Sequence, residues 1–384
     1  MDNLFFTDEH IMIRDMVREF ADTEITPVAR DLDEQGEFPT ALVNKMGELG
    51  LMGILIPEEY GGSGLDMVAF ATAIIELARA DASVAITMAA HTSLGSLPIL
   101  MFGSEEQKNT YLPKLATGEM LGAFGLTEPD AGSDAGATKT KAVRDGDEYV
   151  VNGGKIFITN AGKAGVLSFT SQVIENGKNL GIAAFSISTN TPGLEIGPKE
   201  KKMGWRASDT RQLFFKDMRI KATSMLGTPT NGFKTFLKTL TSGRVSIGAL
   251  SIGTALGAYE RALAYSTERI AFGKPIHNFQ SVGFKLADMA TKIEASKLLV
   301  FHAAWMKDQG LDITKEAAMA KLFASETAME VTTEAIQIHG GYGYVKEYDV
   351  ERFFRDAKIL EIGEGTSEIQ RLIISREILK EIQI

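Results

Sequence analysis

The chain contains no cysteine among its 384 residues. That excludes disulfides, thiolate metal sites, iron–sulfur clusters and a cysteine nucleophile. It fits a reducing compartment, and the cytoplasm is the expected location. Positive charge is in short supply: 40 Lys and Arg stand against 50 Asp and Glu, a formal net charge of -10. Nucleic acid is therefore not the expected partner, because neutralising a phosphate backbone needs a basic surface. A local basic pocket for one small polyanion remains open. The histidines His10, His91, His277, His302 and His339 are scattered, with no H-E-x-x-H pair, so no metal site is expected. No G-x-G-x-x-G follows a strand-like run, and G-x-x-x-x-G-K-[ST] is absent. Apolar runs break short of the roughly 20 residues of a membrane span. The N-terminus lacks a basic segment followed by an apolar one, so neither a span nor a signal peptide is expected.

What is present is a change of texture along the chain. With 44% hydrophobic residues, the composition is that of a globular protein. Residues 1–118 read as helices: Ile13, Met16, Val17 and Phe20 recur at helical spacing. A second helix is expected from about Pro39 to Gly50, and further helices over 67–79 and 83–102. Ser104 and Gln107 have capping-box spacing. Over 119–228 short runs rich in β-branched and aromatic residues (EYVVNG, KIFITN, VLSFTS, IAAFSIS, RQLFFKD) predict a small antiparallel β-domain, a barrel or sandwich. Asp145-Gly146 and Asn152-Gly153 read as hairpin turns. Over 229–384 the pattern is helical again, with long helices over 232–269, 280–309, 314–339 and 366–382. Such lengths suggest an antiparallel bundle or an oligomer seam. The fold class is α+β, a β-domain between two helical ones.

Five segments stand out. Ala123–Ala137 (AFGLTEPDAGSDAGA) runs from a strand into a loop whose N–H groups and hydroxyls suit a polar ligand. Lys155–Gly162 (KIFITNAG) places Phe157 and Thr159 where a flat ring could lie. Arg269–Gln280 (RIAFGKPIHNFQ) offers a guanidinium fork for phosphate and the Phe272 ring for stacking. Ala335–Glu347 (AIQIHGGYGYVKE) ends a helix in Gly340-Gly341, which permits close backbone approach. Glu361–Ile374 (EIGEGTSEIQRLII) sets Glu364 between two glycines, just before Thr366 or Ser367 caps the last helix. Each segment also has an ordinary structural reading as a strand, a helix link, a helix stop or a solvated loop acid.

In this order and spacing the five segments resemble the acyl-CoA dehydrogenase family over essentially the whole chain, nearest in texture to its short-chain members. The resemblance implies an N-terminal helical domain, a central β-domain and a C-terminal four-helix bundle, with FAD as cofactor. It implies that Phe124, Leu126, Thr127, Gly132 and Ser133, with Phe157, Ile158 and Thr159, hold the flavin. Arg269, Phe272, Gln280, Gln337, Gly340 and Gly341 match positions that hold the dinucleotide of a neighbouring subunit, which implies a homo-oligomer, a tetramer. Thr366 and Glu368 match positions near the adenine. Ser133, Arg244 and Gly363 match substrate positions, Arg244 on the CoA part. Glu364 matches the base that removes the α-proton while a hydride leaves the β-carbon for flavin N5. The thioester oxygen is met by the Glu backbone N–H and a ribityl hydroxyl.

The implied substrate is an acyl-CoA, and the implied electron acceptor is electron-transfer flavoprotein. The chain departs from the family's pattern at several places. Phe157 stands where many members have Trp, Glu368 where some have Gln, and Gly363 where many straight-chain enzymes have Tyr. The missing Tyr ring leans the expectation towards a branched, cyclic or aryl acyl group, unless a side chain from the helix around His91 to Leu97 fills the volume. Ala85 matches the position where glutaryl-type members carry Arg, which argues against glutaryl-CoA. An enoyl-CoA reductase working in reverse, and a non-catalytic assembly factor on the same fold, are the competing expectations.

Overall fold

The computed structural model describes residues 2–228 and 232–382. Its N-terminal part is helical. The helix Asp8–Phe20 opens on a capping box in which Thr7 caps and His10 occupies the third helical position. The other ring nitrogen of His10, Nε2, bonds Asp66 at 2.9 Å. Asp66 in turn accepts from Ala69 N–H and caps the helix Met67–Ala80. That helix is buried at every position but Arg79, so it is hydrophobic all round and forms the spine of the core. A short helix, Ala29–Gln35, precedes Thr40–Glu48 and was not expected; it carries few apolar residues.

The expected helix over 83–102 is continuous but not uniform. It runs as Ala82–Ala90, a π-helical turn His91–Ser96, and Leu97–Phe102. By length and apolar character this stretch could cross a membrane, contrary to the sequence reading of broken apolar runs. Yet 83% of its most apolar window is buried inside the fold, which makes it a core helix. The capping box at Ser104 and Gln107 has both reciprocal bonds.

The central sheet has eight strands: β1 (Leu121–Gly125), β2 (Lys141–Asp145), β3 (Glu148–Thr159), β4 (Ala164–Glu175), β5 (Lys178–Ser188), β6 (Leu194–Lys199), β7 (Thr210–Lys221) and β8 (Met225–Leu226). Their order is β6-β7-β3-β2-β4-β5-β8, with β1 also on β4. It is mostly antiparallel, but β4 pairs in parallel with both β1 and β2, which the expected all-antiparallel domain did not include. The Asp145-Gly146 signal marks the β2–β3 hairpin, where Asp145 faces Glu148. Asn152-Gly153 is not a turn. β3 runs straight through it, bulging against β7, and Gly153 takes a φ of +141° where any Cβ would collide with Thr140. EYVVNG and KIFITN are thus two halves of one strand.

The C-terminal part holds the helices Gly232–Glu268, Gln280–Asp308, Thr314–His339 and Ser367–Ile382, within a residue of the expected bounds. Gly253 and Gly257 let the first of these touch the backbone of Met67–Ala80; a Cβ on either would overlap carbonyls of Ile75 or Arg79. The two helical parts therefore share one core. This close contact also fixes the helix that bears Gly243 and Arg244.

Candidate active site

Glu364 lies in the turn between Lys358–Glu361 and the last helix. Its φ is +52°, a left-handed conformation that non-glycine residues rarely take and that functional sites often hold. Two side chains secure the turn. Lys321 Nζ donates to the Gly365 carbonyl at 2.8 Å, and Gln370 Nε2 donates to the same oxygen at 2.8 Å. The cap of the last helix is Thr366, whose hydroxyl accepts from Ile369 N–H at 3.4 Å. Gln370 reaches the turn carbonyls rather than completing a capping box with Ser367.

The Glu364 residue as a whole is half-buried, but its Oε2 has no solvent contact and no hydrogen-bond partner among the described residues. Burial pushes its carboxyl up to about 7, against the opposing pull of Lys321 and Arg244. Room for the carboxylate comes from Gly243 on the Gly232–Glu268 helix, where any Cβ would overlap Oε2. Leu94, on the π-helical turn, borders the same spot, 3.5 Å from where that Cβ would stand. Arg244 is buried, and burial lowers its pKa while Glu364 opposes the change. One guanidinium nitrogen meets Thr241 at 3.3 Å, whereas Nε has no partner.

Nine buried side-chain polar atoms lack partners among the described residues. Six belong to Thr92, Ser242, Arg244, Glu364, Ser367 and Gln370, on the segments that converge here. Buried polar groups are nearly always satisfied, so this concentration marks a site built to receive a polar ligand. A carboxyl poised near neutrality and free of partners is competent as a general base.

The π-helical turn is itself anchored. His91 is fully buried, accepts from Gly122 N–H at Nδ1 (3.0 Å) and donates from Nε2 to the Leu115 carbonyl (3.0 Å). Burial drives its pKa down to about 4, so it is a neutral fastener. It ties Leu94 to β1, where Gly95 and Gly122 pass with no space for a Cβ.

The segments 123–137 and 155–162 are also joined. Ile156 N–H donates to the Thr127 carbonyl at 2.9 Å, which locks the loop after β1 to β3. Beneath them Lys155 and Glu128 form a buried ion pair at 2.7 Å. Glu128 also accepts from the Thr138 hydroxyl and from the backbone N–H groups of Lys139 (2.6 Å) and Thr140. Burial raises its carboxyl, but these donors outweigh it and hold the group well below the usual carboxylate range. A bulge between Lys155 and Ile158 puts Phe157 at a φ of +59° with 63% of its surface exposed, while Ile158 is buried. An exposed aromatic in a costly backbone conformation fits a residue presented to a planar ligand. Phe124 is buried on β1, Leu126, Thr127 and Thr159 are half-buried, and Gly132 and Ser133 are exposed.

A separate cavity of about 460 Å³ is lined by Tyr265, Arg269, His339, Gly340, Gly341, Tyr342 and neighbours. Arg269 lies over the Tyr342 ring, and a Cβ at Gly340 or Gly341 would meet nothing within 4 Å. Gln280, Gln337 and Phe272 are exposed on nearby elements, Phe272 at 96%. Thr366 and Glu368 flank the start of the last helix. The lining of this cavity does not include Glu364, Gly243, Arg244 or Lys321. The presented Phe157 ring, the open glycine cradle and the Arg269 guanidinium fit a flavin dinucleotide. Among the described residues no group of three His, Asp or Glu side chains is placed to hold a metal.

Sequence reasoning did not find Gly243, Lys321, Lys155 or Glu128, and it reached Leu94 only as part of the helix around His91 to Leu97. Two carried signals. Gly243 is a helix-interior glycine, which usually has a packing reason. Lys321 interrupts the stripe Ala317, Ala324, Ala328, Val331, Ala335, all buried.

The helical, sheet and helical parts, with the Glu364 cluster and the separate Arg269 cavity, have the layout of a flavin-dependent oxidoreductase. Family models named Acyl-CoA dehydrogenase N-terminal, middle and C-terminal domain match residues 7–119, 123–218 and 230–379. The "Probable acyl-CoA dehydrogenase YngJ" of Bacillus subtilis is 54% identical over 98% of this chain and 100% of its own. The acryloyl-CoA reductase (NADH) of Anaerotignum propionicum is 47% identical over 97% and 95%. The solved structure of butyryl-CoA dehydrogenase from Megasphaera elsdenii superposes with a TM-score of 0.94 at 43% identity, covering 97% of this chain and 98% of that one. The chain belongs to the acyl-CoA dehydrogenase family, and its cofactor is FAD.

Proposed function

We propose that this protein dehydrogenates a short acyl-CoA to the trans-2-enoyl-CoA, with Glu364 as the base for the α-proton. The observation that carries this is the unpartnered Oε2 of Glu364, kept clear by Gly243 in a carboxyl poised at about 7. An ionised Glu364 takes the proton at Oε2, and burial favours the neutral acid that results. The Glu364 N–H, aimed by the left-handed turn, serves the thioester oxygen. Arg244, with its free Nε, serves the CoA portion, and Ser133 and Gly363 border the substrate. FAD, when bound, accepts the hydride that leaves the β-carbon. Phe124, Leu126, Thr127, Gly132, Phe157, Ile158 and Thr159 shape the flavin end. Arg269, Phe272, Gln280, Gln337, Gly340, Gly341, Thr366 and Glu368 serve the dinucleotide of a neighbouring subunit.

Leu94 favours a short straight chain over a bulky one, because it borders the carboxylate and takes up volume there. Similarity to butyryl-CoA dehydrogenase supports the same length class. Ala85 is buried in an apolar core and offers nothing to a distal carboxylate. Likeness to acryloyl-CoA reductase favours a second reading, the same chemistry run towards the saturated thioester. Electron-transfer flavoprotein is the proposed redox partner. The proposed assembly is a tetramer, because the cavity at Arg269 is apart from Glu364 in one chain.

Anaerobic bleaching of the bound flavin by butyryl-, isobutyryl-, benzylic and alicyclic acyl-CoAs tests the substrate class. Butyryl-CoA is expected to bleach fastest. Faster bleaching by the bulky members would return the assignment to the open-pocket reading of Gly363. Reoxidation by crotonyl-CoA that outpaces butyryl-CoA oxidation would favour the reductase.

A further inference from the structure

We infer that Lys321 is a positioning residue for the base: it pins the Glu364 turn through the Gly365 carbonyl and supplies the counter-charge under which Glu364 ionises. The inference rests on the reading of Glu364 as the base. Lys321 is fully buried in the middle of Thr314–His339, on the stripe that otherwise holds Ala, Val and Ile. Burying an ammonium is unfavourable, so an apolar residue would fill that position at lower cost unless the charge is used. Its bond among the described residues is to the Gly365 carbonyl at 2.8 Å, one residue beyond Glu364. That oxygen also accepts from Gln370. Lys321 is therefore not needed to satisfy the carbonyl; it is a second tether on a turn whose central residue has a left-handed φ.

The charges that face Glu364 are Lys321, from Thr314–His339, and Arg244, from Gly232–Glu268. Lys321 itself faces Glu364 first, then Glu361, Arg244 and Glu368. Glu361 is also paired with Lys358. Burial pulls Lys321 down to about 8, still charged where Glu364 titrates. Lys321 and Arg244 thus offset part of the burial that raises the base. Arg244 bonds Thr241 and is the residue proposed for the CoA portion, while Lys321 bonds the turn itself.

The test uses the FAD-loaded enzyme and its Lys321→Met, Lys321→Arg and Glu364→Gln variants. The rate of flavin bleaching by limiting butyryl-CoA is measured against pH. In Lys321→Met the rising limb should move to higher pH by roughly one unit; Lys321→Arg should restore it. Amide hydrogen exchange over 361–369 in the FAD-loaded proteins without substrate should be faster in Lys321→Met. A purely structural lysine would alter exchange and leave the limb in place, which overturns the electrostatic role. Unchanged exchange overturns the tether. A limb that survives in Glu364→Gln instead removes Glu364 as the base, and the inference with it.

Discussion

Two buried carboxylates in this protein lie near buried lysines and are wired in opposite ways. Glu128 in the β-domain accepts from Lys155, Thr138, Lys139 and Thr140, and is held ionised at any working pH. Glu364 in the C-terminal part leaves Oε2 without a partner, its lysine bonded to the neighbouring carbonyl instead. The first arrangement spends every lone pair on geometry, fixing the Thr127 loop against β3. The second withholds the partner, so that desolvation holds the carboxyl near neutrality. Residue type and burial alone do not separate a strut from a base; hydrogen-bond satisfaction does.

Substitutions should divide along that line. Glu364→Gln should slow α-proton abstraction by about 10²–10⁴-fold or more, with FAD and acyl-CoA still bound, as read by single-turnover bleaching. It should not weaken the fold. Folding raises this carboxyl to about 7, so its contribution is present at low pH and lost as pH rises through about 7. The glutamine variant should therefore melt higher than the parent at pH 8 and match it near pH 4. Lys155→Met should do the reverse. Removing one partner of a buried pair costs about 3–5 kcal/mol, so denaturant midpoints should fall and FAD should be lost. A double variant that also makes Glu128 apolar should recover much of that stability. Gly243→Ala should give the smallest and most selective effect. Alanine stabilises a helix interior by roughly 0.5–1 kcal/mol over glycine, yet its Cβ must displace the carboxylate. A higher melting temperature with bleaching slowed by about tenfold or more is expected. Full activity would show that the carboxylate does not work from the position it holds here.

The long C-terminal helices were legible because helix-compatible sequence runs on for many turns with few internal breakers, and Gly340-Gly341 marks the end at His339. The β-domain was legible as strands but not as a sheet. Asn152-Gly153 has the composition of a turn, and only its neighbour Thr140 shows that the glycine is there for close passage. The parallel pairings of β4 join residues 31 to 44 positions apart, beyond any local pattern. At the site, the sequence marks Glu364 only as a loop acid between two glycines, and its proposed role comes from the family resemblance. Gly243, Leu94 and Lys321 reach it from three other helical segments over 40 to 270 residues away, and only folding brings them to the Glu364 turn.

The central claim is that Glu364, kept unpaired, is the base. Its most direct test is the pH dependence of flavin bleaching by limiting butyryl-CoA, which reports the free enzyme's ionisation. The account predicts a rate that rises with pH through about 7 in the parent protein and a slow, flat profile in Glu364→Gln. A Glu364→Gln profile that keeps both the parent rate and the parent limb would contradict it.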